Sequence, residues 1–250
     1  MRTSLESGCR GGPRHFLRLG LMERLLKKNL RNGLVLDAGC GDGALSIRLA
    51  KRGFLVTAVD SSEEWCGIFE RRLHNTRLKE KIKIICSPLE KANFTRESFD
   101  AIVCGELLEH IENDREIMEK LCLLLRKNGI LILSVPLINK GWDTWDKITG
   151  HTRLYALEEL TSLLEHLGFQ ITRIVGWGYP LVKLYNKLIF EKWAKKAKTE
   201  DEIKRPTHFS TYLGKSYLVS CIIGLLFYID TLCTPPQKAM GIVLSAKKIY

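Results

Sequence analysis

The stretch VLDAGCGDGALSIRL, residues 35–49, sets Gly39, Gly41 and Gly43 at alternate positions, with Asp37 and Asp42 beside them. An apolar run precedes the glycines and apolar residues at helical spacing follow. This order predicts a buried strand, a tight glycine turn and a helix. Gly39, Gly41 and Ala44 satisfy the loose pattern G-x-G-x-x-A, and Asp60 ends the next apolar run, where an acid that binds ribose hydroxyls belongs. A ligand containing a nucleoside is therefore expected. Asp37 and Asp42 narrow its kind. A dinucleotide would set its pyrophosphate on the helix N-terminus beside two carboxylates, and like charges within about 4–6 Å oppose each other. A ligand carrying an ammonium and a sulfonium suits them better. That describes S-adenosylmethionine, with Asp37 near the ammonium and Asp60 on the ribose. The same acids disfavour a hydride-transferring dehydrogenase.

Outward from this loop, strand and helix signals alternate. Residues 14–29 have leucines at helical spacing and a basic opposite face, which predicts an amphipathic helix ahead of the first strand. Strands are predicted at 34–38, 54–60, 81–87, 98–105 and 130–136. Helices are predicted after the glycine loop with Gly53 near the C-terminus, from Ser61 or Ser62 as N-cap, and over 114–129 with Gly129 ending the last. A long loop carrying Trp142, Trp145 and His151 follows, then a helix, a strand over 169–178 and a closing strand over 241–249. Such alternation predicts an α/β fold, a Rossmann-like doubly wound sheet that is mostly parallel. Residues 1–32 form an N-terminal helical segment, 33–178 with 240–250 a ligand-binding domain, and 179–239 a helical insertion around the charged linker KKAKTEDEIKRP.

The 250 residues hold 39 Lys and Arg against 28 Asp and Glu, a formal charge of +11 that favours anionic partners or simply aids solubility. The eight cysteines form no C-x-x-C pair and sit mostly in apolar runs, so they predict a reducing, cytoplasmic setting rather than a disulfide framework or a zinc site. Residues 217–229, YLVSCIIGLLFYI, are continuously apolar or weakly polar. A span needs about 20 such residues, so this run predicts a buried or interfacial helix.

Four motifs, VLDAGCGDG, AVD, FDAIVCGELLEHIEN and NGILILSVP, together resemble the class I S-adenosylmethionine-dependent methyltransferases, over roughly residues 33–175. They are most similar to the small-molecule and lipid group that includes quinone-biosynthesis O-methyltransferases. The resemblance implies an antiparallel last strand, matching residues 241–248. It places Asp37, Gly39, Cys40 and Gly41 at the methionine end of the cofactor, Asp60 on the ribose and Ser61 beside the adenine. Ser87 stands where many relatives carry an aspartate. Glu106 and Leu107 fall at the mouth of the pocket.

Methyl transfer is an in-line displacement at a sulfonium carbon, so the protein aligns the acceptor, excludes water and removes a proton where the acceptor is a hydroxyl. His110, just after the fourth strand, and His151 with Arg153, in GHTRLY, are the catalytic candidates; the competing role is to fix their loops. Trp142 and Trp145 either close over an apolar acceptor or pack on the sheet. Glu106, Glu109 and His110 are suitable ligand types, but no metal spacing is present and no metal is predicted. The basic, apolar 179–239 insertion suits an anionic membrane surface and a lipid-like acceptor, or else a helical cap over the site. An RNA or protein methyltransferase, or a non-catalytic module that binds the cofactor, are the competing functions. Nucleic acid is the weaker partner because the chain lacks a basic stripe with interleaved aromatics and an N-P-P-Y-type tetrapeptide.

Overall fold

The computed structural model describes residues 13–142, 146, 150–185, 187–188 and 217–250. Seven strands form one sheet: β1 (Leu34–Ala38), β2 (Leu55–Asp60), β3 (Ile82–Cys86), β4 (Phe99–Gly105), β5 (Leu125–Pro136), β6 (Phe169–Trp177) and β7 (Gly241–Lys248). Their order is β3-β2-β1-β4-β5-β7-β6. β1 pairs in parallel with both β2 and β4, while β7 runs antiparallel between β5 and β6. The chain leaves β1 toward β2 on one side and later returns to β4 on the other. That switch point opens a crevice at the carboxyl ends of the strands.

Successive residues of each central strand serve opposite faces. Val35, Val56, Ala101, Val103 and Ile132 pack with the helices α1 (Pro13–Asn29), α2 (Ala44–Lys51) and α3 (Glu63–Leu73). Leu36, Val59, Ile102, Cys104 and Leu133 pack with α4 (Asp114–Leu124) and α5 (Leu157–His166). A sheet buried on both faces needs near-continuous apolar strands, which is why β1 reads LVLDA and not as an alternation. In α1, Leu17, Leu21 and Leu25 recur at i, i+4 and i+8 and are all buried. Ser62 caps α3, its hydroxyl accepting from the Trp65 amide at 3.3 Å.

Two expected elements differ. The helix begun at Asp114 ends at Leu124 and does not run to Gly129. Leu125 is fully buried beside Phe99 of β4, and its carbonyl accepts from Lys248 Nζ at 2.8 Å, so tertiary pairing draws it into β5. The insertion after β6 holds a short helix, α6 (Leu181–Tyr185), and a longer one, α7 (Tyr217–Cys233). The charged linker and Trp145 lie outside the described residues. No helix among the described residues is long and apolar enough to cross a membrane.

The glycine turn is sterically specified. Gly43 has φ +73°, and a Cβ there would fall 2.1 Å from the ring of Phe69, which is fully buried. Gly43→Ala therefore combines left-handed strain with overpacking and is expected to cost about 2–4 kcal/mol. A urea unfolding midpoint that shifts downward at constant m-value would show this; an unchanged midpoint would mean that Phe69 relocates freely.

Candidate active site

The turn after β1 is tied to the end of β2. The Gly39 and Cys40 amides both donate to Val59 O, at 2.9 and 3.0 Å. Asp60 accepts from the Gly41 amide through Oδ2 at 2.8 Å and from the Ser62 amide through Oδ1 at 2.9 Å. A carboxylate offers about four acceptor positions, so two remain for other donors. At Gly41, φ is +51° and the space a Cβ would take is open, so a ligand can approach the backbone there. A Cβ on Gly39 would meet Leu107 at 3.0 Å, which places Leu107 against the loop. Ser87 joins the same edge, its amide donating to Asp60 O at 2.8 Å, and Ser61 is exposed beside it. Cys40 is buried, and desolvation raises its thiol pKa far above the usual range, so it acts as packing.

Asp37 is buried and accepts from Ser46 Oγ at 2.6 Å. Burial first, and then the nearby Asp60 and Asp42 charges, push its carboxyl up to about 7. It lines a small cavity of about 50 Å³ together with Gly39, Cys40, His15 and Arg18. Asp42 is neutralised by Arg72, 2.6 Å from its Oδ2. The sequence reading missed α1 as part of this site. Arg18 Nη1 donates to Glu106 Oε2 at 3.0 Å, and Glu106 Oε1 accepts from Ser134 Oγ at 3.0 Å. His15 is pushed down to about 3 by burial and by Arg18, Arg48 and Arg72, so its neutral ring accepts from Arg18 Nη2 at 3.3 Å. The only signal for Arg18 was a basic residue on the polar face of an amphipathic helix.

Beyond Leu107, a short turn (Leu108–His110) receives the chain from residues 150–155. Thr152 donates to Glu109 O through its amide at 2.7 Å and its hydroxyl at 2.9 Å. This docking sets His151 against His110, with ring centroids 4.8 Å apart. His151 Nδ1 lies 2.7 Å from Asp146 Oδ1, and Lys140 Nζ lies 2.5 Å from the other oxygen of Asp146. His110 Nδ1 faces Gly150 O at 3.4 Å. Burial, and then the His110 charge, lower the His151 pKa against the pull of Asp146, favouring a neutral imidazole. Arg153 sits differently from its sequence neighbour. Its guanidinium donates to Asp114 Oδ1 at 2.5 Å and Glu112 O at 2.6 Å, while Tyr155 donates to Asp114 Oδ2 at 2.7 Å. Those bonds clamp the 150–155 segment, so Arg153 positions His151. Trp142 is exposed.

Glu109 is the outlier. Its side chain is fully buried, and neither carboxylate oxygen has a hydrogen-bond partner among the described residues. Desolvation, then the Glu106 charge, raise its pKa well above the carboxylate range. Donor atoms of Glu109, His110 and His151 lie within 4.8 Å of one another. No metal motif is legible along the chain because His151 reaches this cluster only through folding.

These contacts set two expectations for S-adenosylmethionine binding. Asp60→Ala removes both the loop tie and the remaining acceptors, and is expected to weaken binding by about 1–3 kcal/mol; unchanged affinity in calorimetry would remove Asp60 from the site. Asp37 must ionise to meet an ammonium, so with a carboxyl at about 7 affinity rises with pH up to that value. Between about pH 5.5 and 7, where an α-amine stays protonated, the rise is expected to be about tenfold with proton release on binding. Asp37→Asn is expected to bind weakly and without this dependence; a flat profile for the native chain would refute the contact.

The pattern of the family described as a methyltransferase domain matches residues 13–174. The chain is 32% identical over 169 residues to the ubiquinone biosynthesis O-methyltransferase of Coxiella burnetii, covering 62% of this chain and 70% of that protein. It is 26% identical over 203 residues to the protein of the same name from Rickettsia bellii, covering 74% and 76%. Among solved structures, the magnesium protoporphyrin IX methyltransferase of Synechocystis with bound S-adenosylhomocysteine shares the fold at a TM-score of 0.59 and 20% identity, covering 94% of this chain and 83% of that one. The 1,6-didemethyltoxoflavin-N1-methyltransferase of Burkholderia thailandensis does so at 0.56 and 18%, covering 93% and 79%. With the family's pattern matched over residues 13–174 and relatives of that name at 32% and 26% identity, the chain belongs to the methyltransferase-domain family and is an S-adenosylmethionine-dependent methyltransferase.

Proposed function

We propose that the chain methylates a hydroxyl oxygen of a small, lipid-like aromatic acceptor. The observation that carries this reading is the Asp146–His151–His110 cluster, set one turn beyond the Leu107 that covers Gly39. The curated relatives named for ubiquinone biosynthesis support the oxygen and the lipid-like ring. S-adenosylmethionine, when bound, supplies a methyl already activated by the sulfonium charge. The residues present fit it. Asp37 would hold the ammonium and Arg18, in the same cavity, the carboxylate; Asp60 keeps acceptors that would bind the ribose, and Gly41 leaves room for close approach.

His151 is the general base in this reading. A proton on Nδ1 is held by Asp146, which leaves Nε2 with the lone pair that takes the acceptor hydroxyl's proton. Asp146 fixes that tautomer, and Lys140 Nζ pairs with its other oxygen at 2.5 Å in a buried place. Thr152 and Arg153 hold the segment in register. A reducing, cytoplasmic setting is supported by the free thiols of Cys40, Cys66, Cys86, Cys104, Cys122 and Cys233. The helical insertion would bring the acceptor from an anionic membrane surface.

His151→Ala and Asp146→Asn are expected to lower kcat about 10²–10⁴-fold while S-adenosylmethionine affinity stays within twofold. The test is transfer of labelled methyl to a prenylated catechol, a soluble catechol, RNA and a protein mixture. Label confined to RNA or protein would overturn the acceptor class, and cofactor binding without any transfer would favour a non-catalytic module.

A second reading rests on Glu109. A buried carboxylate with no hydrogen-bond partner among the described residues, its Oε1 4.0 Å from His151 Nε2, suits a divalent cation, and in each imidazole the other nitrogen already faces a carboxylate or a carbonyl, the usual arrangement behind a metal-bound histidine. Glu109, His110 and His151 would hold the ion, which supplies positive charge beside the acceptor hydroxyl. Here chelation followed by dialysis is expected to abolish transfer, with recovery on adding back magnesium, manganese or zinc. Full activity of the chelated protein would leave His151 as the base acting alone.

A further inference from the structure

We infer that α1, α6 and α7 form a docking surface for an anionic phospholipid bilayer. This goes beyond the methyl-transfer reading and assigns the surface to named residues. The first observation is the character of α7. Its inward side carries the buried Phe227, Asp230 and Thr231, which is ordinary for a helix packed on a core. Its outward side carries Leu225, Ile229 and Leu232 at i, i+4 and i+7, with Leu225 61% and Leu232 68% exposed. A surface helix normally puts charge there. Asp230 is the sole charged residue from 217 to 233, and it faces inward, accepting from the Leu181 and Val182 amides at 3.1 and 3.3 Å. The outward face therefore has no charge at all.

The apolar face continues. Through Asp230, α6 packs beside α7, and Leu181 and Leu184 are exposed there. On the other flank α7 packs against α1, and a groove of about 710 Å³ runs between them, floored by Phe16, Leu17 and Leu21 and walled by Leu225 and Tyr228. Its rim is cationic: Arg24, Lys27 and Lys28 of α1 are all exposed, with Arg24 stacked 4.2 Å over Tyr228. The one rim carboxylate among the described residues, Glu23, is held by Arg48 and Arg52 at 2.7 and 2.6 Å. An apolar band bordered by exposed lysines matches the order of a bilayer surface, with acyl chains below and phosphates above. A second copy of this chain would bring the same cations against these cations. No described helix is a candidate to span, so α7 lies in the interface plane.

The test is vesicle flotation of the full chain with phosphatidylcholine alone and with added phosphatidylglycerol, at low and high salt. The expected result is binding at least about tenfold stronger to the anionic vesicles and weakened by salt. Lys27→Glu with Lys28→Glu is expected to remove the preference for anionic lipid, and Leu225→Asp with Leu232→Asp to reduce binding to anionic vesicles about tenfold or more. Thermal midpoint, cofactor affinity and methylation of a soluble catechol should be unchanged in both variants. Several results would overturn the inference: equal binding to both vesicles, no binding to either, a concentration-dependent dimer that both variants abolish, or a leucine variant that loses its fold because another part of the chain covers this face. Activity on the soluble acceptor reads the methyl-transfer proposal separately, so each can fail alone.

Discussion

The carboxylate of Asp60 is the point on which this molecule turns. One oxygen holds the amide of Gly41 and the other the amide of Ser62. It thereby joins the turn after β1 to the end of β2 and the start of α3. Such a tie suits the switch point of a doubly wound sheet, where two strands diverge and leave backbone amides at an open edge. Charge-assisted bonds to amides are stronger than neutral ones, so the loop is organised before a ligand arrives. The left-handed glycines follow from the same constraint. Gly43 must pass the buried ring of Phe69, and Gly39 must pass Leu107.

Around that tie the protein concentrates acids and then manages their repulsion in different ways. Asp42 is paired with Arg72. Glu106 is shared between Arg18 and Ser134. Asp37 accepts from Ser46, and burial pushes its carboxyl up to about 7. Glu109 has no hydrogen-bond partner among the described residues, and burial raises its pKa well above the carboxylate range. Asp42 and Glu106 each have an arginine partner, whereas the raised pKa values of Asp37 and Glu109 follow first from burial.

The acceptor side is organised by a second docking event. Thr152, Arg153 and Tyr155 bond to Glu109, Asp114 and Glu112, and this brings the segment around His151 onto the turn after β4. Leu137 and Tyr155 also form a bridge at the end of β5. Two stretches about forty residues apart thus become one site. Arg153 shows why adjacency in sequence misleads: it lies two residues from His151, yet its guanidinium is held by the clamp.

The glycine turn, a mostly parallel sheet and the acid ending β2 are legible in the chain from local chemistry: positive φ at glycine, apolar runs for strands covered on both faces, and a carboxylate at a strand end. The antiparallel closing strand was implied by the family resemblance, and the order of the strands was decided by the tertiary structure. The end of α4 is not legible, since LCLLLRKNG continues a helical pattern and only pairing of Leu125 with Phe99 draws it into the sheet. Nor are the roles of Arg18, Glu109 and Asp146. An arginine on an amphipathic helix, an acid in a turn and an aspartate in a loop look like solvated residues until packing removes their water. The apolar run 217–229 was visible as a helix, but not which of its faces is buried. The tertiary structure decided that, because Asp230 turns inward to cap α6 and leaves the uncharged side facing out.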